Sequence, residues 1–254
     1  MIRGKVIIVF GPTASGKTQL SLDIADYLSK KHDLKAEVIN ADSRQVYRGM
    51  SIGTNKVHRS LRKKVPHHLV GVAGLDDDFT NTDFEQQARP VAQAVLERGN
   101  PPVFVGGTGT WLMTLFGEQY LLNAQETKKG GLDSLMVVPE YTRPELYRKI
   151  EQKVEEMFKL GLYQEVLQIL KQYGKVPPQL RKTIGYKEFF EYADKGAKRV
   201  DRLGQTDLAK IKHRIKEETK RYAMHQDGWL KKLKNHHVVS DKDWIKLLDD
   251  FLKE

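Results

Sequence analysis

The chain has 254 residues, no cysteine, and 43 Lys and Arg against 33 Asp and Glu, a formal charge of +10. The lack of cysteine excludes a disulfide scaffold, a cysteine-ligated zinc site and a thiol nucleophile. No apolar run approaches the ~20 residues that a bilayer span requires. With 39% hydrophobic and 30% charged residues the composition is that of a soluble globular chain long enough for a sizeable core. The first 120 residues carry a net +3 and the remainder +7. A basic half points to a polyanionic partner such as nucleic acid, against the plainer alternative of a solvated lysine-rich surface. The amino-terminal apolar stretch is too short for a signal peptide, so a cytoplasmic location is expected.

In chain order, residues 5–10 (KVIIVF) are a β-branched run that reads as a buried parallel strand. Residues 16–31 carry a helical apolar repeat through Leu20, Ile24 and Leu28. Residues 36–40 predict a second strand and 102–105 a third. Between them, 82–98 predict a helix, with Thr82 and Glu85 at capping-box spacing. This alternation predicts an α/β fold with a parallel sheet. Beyond residue 116 the pattern changes: 123–131 is polar and glycine-ended, 135–139 reads as one more strand, and 143–173, 181–193 and 207–233 read as helices. The chain therefore divides into a core at 1–118, a linker at 119–134, and a segment at 135–254 holding the last core strand and a basic helical part.

Gly11, Pro12, Thr13, Ala14, Ser15, Gly16, Lys17 and Thr18 match G-x-x-x-x-G-K-[ST] between a predicted strand and a predicted helix. Such a loop turns backbone N–H groups onto phosphate oxygens, and the helix start adds its positive end. Lys17 supplies a point charge and the Thr18 hydroxyl a ligand for Mg²⁺. The loop predicts a diphosphate or triphosphate ligand but does not say which group is transferred.

Asp42 follows the second strand, expected to lie one strand over from the phosphate loop, where ligand groups of open α/β sheets gather. A carboxylate there can order Mg²⁺ or accept a proton; it can also simply cap the next turn. Arg48 is open between a phosphate and an acidic surface residue. Asp76, Asp77 and Asp78 read as a solvated turn, because three consecutive carboxylates do not easily converge on one ion. His67 and His68 read as structural, and His236 and His237 as surface residues.

Five segments in order, GPTASGKT at 11–18, ADSRQVYRGMSIGT at 41–54, VPHHL at 65–69, GNPPVFVGGTGTWL at 99–112 and TIGYKEF at 183–189, resemble the tRNA dimethylallyltransferase (tRNA isopentenyltransferase) family. The helical stretch 141–233 resembles that family's carboxyl-terminal part. The resemblance implies a P-loop NTPase-like fold and transfer of a dimethylallyl group from dimethylallyl diphosphate to N6 of an adenine in a tRNA anticodon loop (position 37), releasing pyrophosphate. It implies Asp42 as general base, Thr13 and Lys17 at the diphosphate, and Mg²⁺ as cofactor. It also implies that Ser43, Gln45, Tyr47, Arg48, Gly107, Thr108 and Lys182 meet the acceptor. Lys220 is expected at the diphosphate, and Lys182, Lys187, Lys220 and Arg221 at RNA phosphates.

The departures are specific. The family's helical insertion, which grips the anticodon stem, is reduced here to about 119–134. Lys182 and Lys220 stand where the family has arginines, and Met224-His225 where it has Lys-Arg; lysine keeps the charge but loses the bidentate fork. Trp111 replaces a common tyrosine and is expected to keep its stacking role. The short insertion leaves open an adenylate (AMP, ADP or ATP) isopentenyltransferase, and the phosphate loop alone would also fit a small-molecule kinase. A monomer is expected.

Overall fold

The computed structural model describes residues 2–117, 121, 132–196, 198–240 and 242–253. Most of the segment expected as a linker, 119–134, lies outside the described residues. The architecture is a six-stranded, all-parallel sheet between helical layers. The strands are β1 (Gly4–Phe10), β2 (Glu37–Asn40), β3 (His67–His68), β4 (Pro102–Gly106), β5 (Leu132–Pro139) and β6 (His236–Val239), in spatial order β3-β2-β4-β1-β5-β6. β1 shows why the centre is stable. Its alternate side chains Val6, Ile8 and Phe10 enter one core, and Ile7 and Val9 enter the other. Both faces are covered, as a parallel sheet requires.

The helices are α1 (Lys17–His32), α2 (Arg59–Lys64), α3 (Asn81–Glu97), α4 (Gly109–Phe116), α5 (Arg143–Lys159), α6 (Leu162–Tyr173), α7 (Pro178–Lys182), α8 (Lys187–Lys195), α9 (Gln205–Leu230) and α10 (Asp243–Lys253). α3 starts with a capping box formed by Thr80 and Asp83, two residues before the pair expected from sequence. α5 has the same device at Thr142 and Glu145. Gly161 and Gly174, both in left-handed conformation, bracket α6; Gly161 splits the long predicted helix in two and Gly174 ends it.

Two findings revise the expected organisation. β5 begins at Leu132 rather than 135, pairing with β1 from Gly4 onward. It is not the last strand: β6 adds to it in parallel, with Val137 opposite His237. α10 then returns to the layer of α1, where Trp244, Leu248 and Phe251 share a core with Leu20, Ile24 and Leu28.

Candidate active site

The phosphate loop, 11–16, joins the end of β1 to the start of α1. Gly16 has φ of 105°, in a region costly for other L-residues, and caps α1 without a side-chain bond. The first turn of α1 holds no acidic residue, so its N–H groups and positive end stay available to an anion. The Ser15 hydroxyl is buried without a hydrogen-bond partner. Lys17 Nζ donates to the Pro12 carbonyl at 2.6 Å, folding over the loop. Burial pulls the Lys17 ammonium down to about 8, opposed by the charge of Asp42 and reinforced by Lys153 of α5.

Asp42 therefore stands within electrostatic reach of Lys17, but not one strand over: β4 runs between β2 and β1. The glycine pair ending β4 makes the approach possible. A Cβ on Gly106 would collide with the Ala41 carbonyl, and one on Gly107 would lie 2.8 Å from the Gly11 carbonyl. A middle strand without side chains at its tip lets the Asp42 loop and the phosphate loop face each other. Asp42 Oδ1 accepts the Arg44 N–H at 2.8 Å. The carboxylate thus caps its own turn with one oxygen and keeps the other. Ser43 N–H donates to Thr108 Oγ1 at 3.2 Å, tying this loop to the start of α4. Tyr222 of α9 borders the same place: burial, then the Asp42 charge, push its phenol up to about 12.

Gln226 of α9 has no counterpart in the sequence expectations. It is 3% exposed; its Oε1 accepts the Thr13 N–H at 2.8 Å and its Nε2 donates to the Gly107 carbonyl at 2.9 Å. One amide thereby fixes the spacing between the phosphate loop and the β4 tip. Ala14, at the loop's crest with φ of 66°, packs with Leu146 and Ile150 of α5 and Ala223 of α9. The carboxyl-terminal helices are part of the site wall.

Several expected site residues lie elsewhere. Tyr47 is 1% exposed in the core, its hydroxyl accepting the Phe79 N–H at 3.1 Å, so no acceptor can reach it. Trp111 is also buried, stacked on Phe84 with centroids 4.5 Å apart. Its stacking serves the core. Lys220 is held by Glu151 at 2.7 Å and Glu217 at 2.9 Å, over the Tyr147 ring, rather than at the phosphate loop. Lys182 pairs with Asp78 at 3.4 Å, Lys187 with Glu218 at 3.5 Å and Arg221 with Glu218 at 2.8 Å. Each of these four expected phosphate-binding cations is thus engaged by a carboxylate of the chain itself. Gln45 donates to the Thr54 and Asn55 carbonyls, and Arg48 to the Val72 carbonyl, so both brace their loop.

The remaining motif residues have structural partners. Asp77 accepts from Gly74 N–H and Asp76 pairs with Lys175. His67 Nδ1 lies 2.6 Å from the Val65 carbonyl, and His68 Nε2 lies 2.6 Å from Glu37.

Fold and site together define a P-loop α/β protein whose anion cradle faces a carboxylate across a glycine-tipped strand. The chain belongs to the IPP transferase family: that family's model matches residues 45–129 and 117–233. A tRNA dimethylallyltransferase of Oenococcus oeni is 32% identical over 238 residues, covering 91% of this chain and 86% of the relative. One from Lactococcus lactis subsp. lactis is 30% identical over 284 residues, covering 91% and 90%. That second alignment is longer than this chain, so the Lactococcus relative carries residues absent here, whereas the Oenococcus alignment needs no such excess. Among solved structures, the full-length tRNA isopentenylpyrophosphate transferase of Bacillus halodurans superposes with a TM-score of 0.79 at 25% identity, covering 98% of this chain and 95% of that one. A eukaryotic dimethylallyltransferase acting on tRNA shares the fold, with a TM-score of 0.72.

Proposed function

We propose that this protein transfers the dimethylallyl group of dimethylallyl diphosphate to the exocyclic N6 of an adenine in a tRNA anticodon loop. The observation that carries the reading is that the Asp42 turn and the phosphate loop close on the same glycine tip of β4, Gly106 against Ala41 and Gly107 against Gly11. The diphosphate takes the loop amides, the start of α1 and Lys17, which stabilise the charge that builds on the leaving group. N6 attacks the allylic C1, the C1–O bond breaks, and the free Asp42 oxygen accepts the N6 proton while pyrophosphate leaves. An adenine amine is barely basic, so a positioned acceptor matters, typically by 10²–10⁴-fold. The base must leave its stack, at a cost of a few kcal/mol that is smallest in a loop.

The donor set suits Mg²⁺. Among the described residues no three His, Asp or Glu side chains group around an ion site, and the Thr18 hydroxyl at the start of α1 has no protein partner. Mg²⁺ would take Thr18, substrate oxygens and water, as is usual for this ion. When bound it draws charge off the leaving diphosphate.

The test incubates the protein with dimethylallyl diphosphate and Mg²⁺, using either tRNA or AMP as acceptor, and scores N6-dimethylallyl adenosine. tRNA should be modified and AMP should not. Asp42→Asn should lower turnover by about 10² or more with donor affinity within a few-fold; Lys17→Ala should weaken donor binding itself. Prenyl-AMP as sole product, or an Asp42→Asn enzyme within a few-fold of native, would overturn the reading.

A further inference from the structure

Residues 43–75 contain seven Lys and Arg and no Asp or Glu. The run starts directly after Asp42, and its middle folds as α2, which carries Arg59, Arg62, Lys63 and Lys64 on six residues. None of these four forms an ion pair among the described residues, and the Arg62 Nε is buried without a partner. On α9, by contrast, Lys212 and Lys216 share Glu155, and Lys220 is held between Glu151 and Glu217. The carboxylate at the β3 edge of the sheet, Glu37, is already engaged by His68 and Arg98. The positive charge of Lys212, Lys216 and Lys220 on α9 is therefore engaged by carboxylates, whereas that of α2 is not.

The topology runs this charge along the β3 edge, from the crevice end toward the amino end of the sheet. α2 lies in the connection that leaves the carboxyl end of β2, at the crevice, and returns to the amino end of β3, the outermost strand. The start of that connection is braced: Gln45 Nε2 donates to the Thr54 and Asn55 carbonyls, and Lys56 Nζ to the Tyr47 carbonyl. Arg59 thus begins at most roughly 14 Å of chain beyond a loop fixed to Gln45. His58 Nδ1 accepts the Ser60 N–H and sets the helix entry.

We propose that α2 is a docking track for the phosphate backbone of the RNA that flanks the reacting base. Unpaired cations beside a crevice supply the sequence-independent part of RNA binding, and phosphate contacts set the register in which a base enters. An anionic membrane fits less well. Leu61 is the one apolar residue of α2 and is half-buried, so the helix has no apolar face to insert. The proposal rests on tRNA being the acceptor.

The test compares the native protein with Arg59→Gln/Lys63→Gln/Lys64→Gln and with a control, Lys242→Gln/Lys246→Gln, beyond β6 at the opposite edge of the sheet. tRNA affinity is measured by fluorescence anisotropy across a salt series, alongside steady-state turnover. At physiological salt the triple variant should bind about tenfold or more weaker. Its salt slope should shrink by about 2, from ~0.7–0.9 per lost phosphate contact. kcat at saturating tRNA and KM for dimethylallyl diphosphate should stay native, and the control should keep the native slope. The single Lys64→Gln, on an exposed side chain, should remove about one contact's slope and serves if the triple variant does not fold. An unchanged slope overturns the proposal, as does an equal per-charge loss in the control. Loss of binding to phosphatidylserine vesicles with tRNA affinity intact would also overturn it, in favour of a membrane. If the native protein modifies no tRNA, the acceptor reading fails before any variant is made; if it does and the slope is unmoved, only the track is lost.

Discussion

Replacing Gln226 by leucine removes one buried amide and disturbs two elements at once. The side chain is nearly isosteric, so the change is chemical rather than a large cavity. Thr13 N–H loses a 2.8 Å bond and the Gly107 carbonyl a 2.9 Å bond. The Gly107 carbonyl is then buried and the Thr13 N–H half-buried without a partner, at about 1–2 kcal/mol apiece, so a loss of about 2–4 kcal/mol of stability is expected. At about 2–4 °C per kcal/mol for a chain of this size, the thermal midpoint should fall by roughly 5–15 °C. The phosphate loop also loses the strut that sets its distance from the β4 tip, so KM for dimethylallyl diphosphate should rise several-fold more than KM for tRNA. Gln226→Glu is the sharper probe. Its carboxylate can still accept from Thr13 but sets an oxygen against the Gly107 carbonyl, so it should be the worse of the two at neutral pH and recover on acidification. Urea unfolding and steady-state kinetics on both variants decide the matter. A leucine variant within about 0.5 kcal/mol of native, with the donor KM unmoved, would refute the bridging role.

Two further substitutions separate core from site. Glu188 is fully buried, its Oε2 accepting the Gly185 N–H while Oε1 has no partner; burial pushes the carboxyl up to about 7. The folded state therefore holds a proton that the unfolded state loses near its ordinary value of 4.5, so stability falls as pH rises from about 4.5 to 7. Relative to native, Glu188→Gln should gain up to about 3 kcal/mol between pH 5 and pH 8 in urea titrations; a pH-independent difference would exclude this titration. Tyr47→Phe orphans the Phe79 N–H and should cost about 1–3 kcal/mol with both KM values native. A raised acceptor KM at native stability would instead return Tyr47 to the substrate.

What was legible in the sequence follows the range of the interaction. The phosphate loop is local: strand, glycine turn, lysine and helix start are contiguous, and the motif states its own geometry. Asp42 was legible because the end of a parallel strand is a known position in an open sheet, although β4 between it and β1 was not. The opposite cases depend on partners far along the chain. Gln226 is an ordinary polar residue on a long helix, and only the folded distance to Thr13 and Gly107 makes it a strut. Lys220 and Lys187 count as positive charge in any composition, yet Glu151, Glu217 and Glu218 cancel them in space. Tyr47 and Trp111 sit inside functional-looking motifs, but both side chains enter the core, Tyr47 from the turn after β2 and Trp111 from the buried face of α4, and the motif does not say which face is inward. β6 is four residues with two histidines, too short and polar to read as a strand until β5 offers it an edge.

The same long-range contacts decide what the site depends on. α1 carries the glycine turn of the P-loop motif at its start, and its far end is held by α10. Tyr27 donates to Asp249 at 3.0 Å, His32 lies 2.8 Å from the same carboxylate, and Lys5 Nζ donates to the Phe251 and Leu252 carbonyls. At its other end the loop is held by Ala223 and Gln226 of α9. The anion cradle is therefore clamped from two sides by residues more than 200 positions away, and a core ending at residue 118 would lack both clamps and two of the six strands. The proposed reaction centre is local in sequence, but the contacts that brace it are not. The contacts that hold Thr13 and Lys17 at a fixed distance from Asp42 come from the carboxyl-terminal third, including helices whose charge alone suggested that their business was RNA.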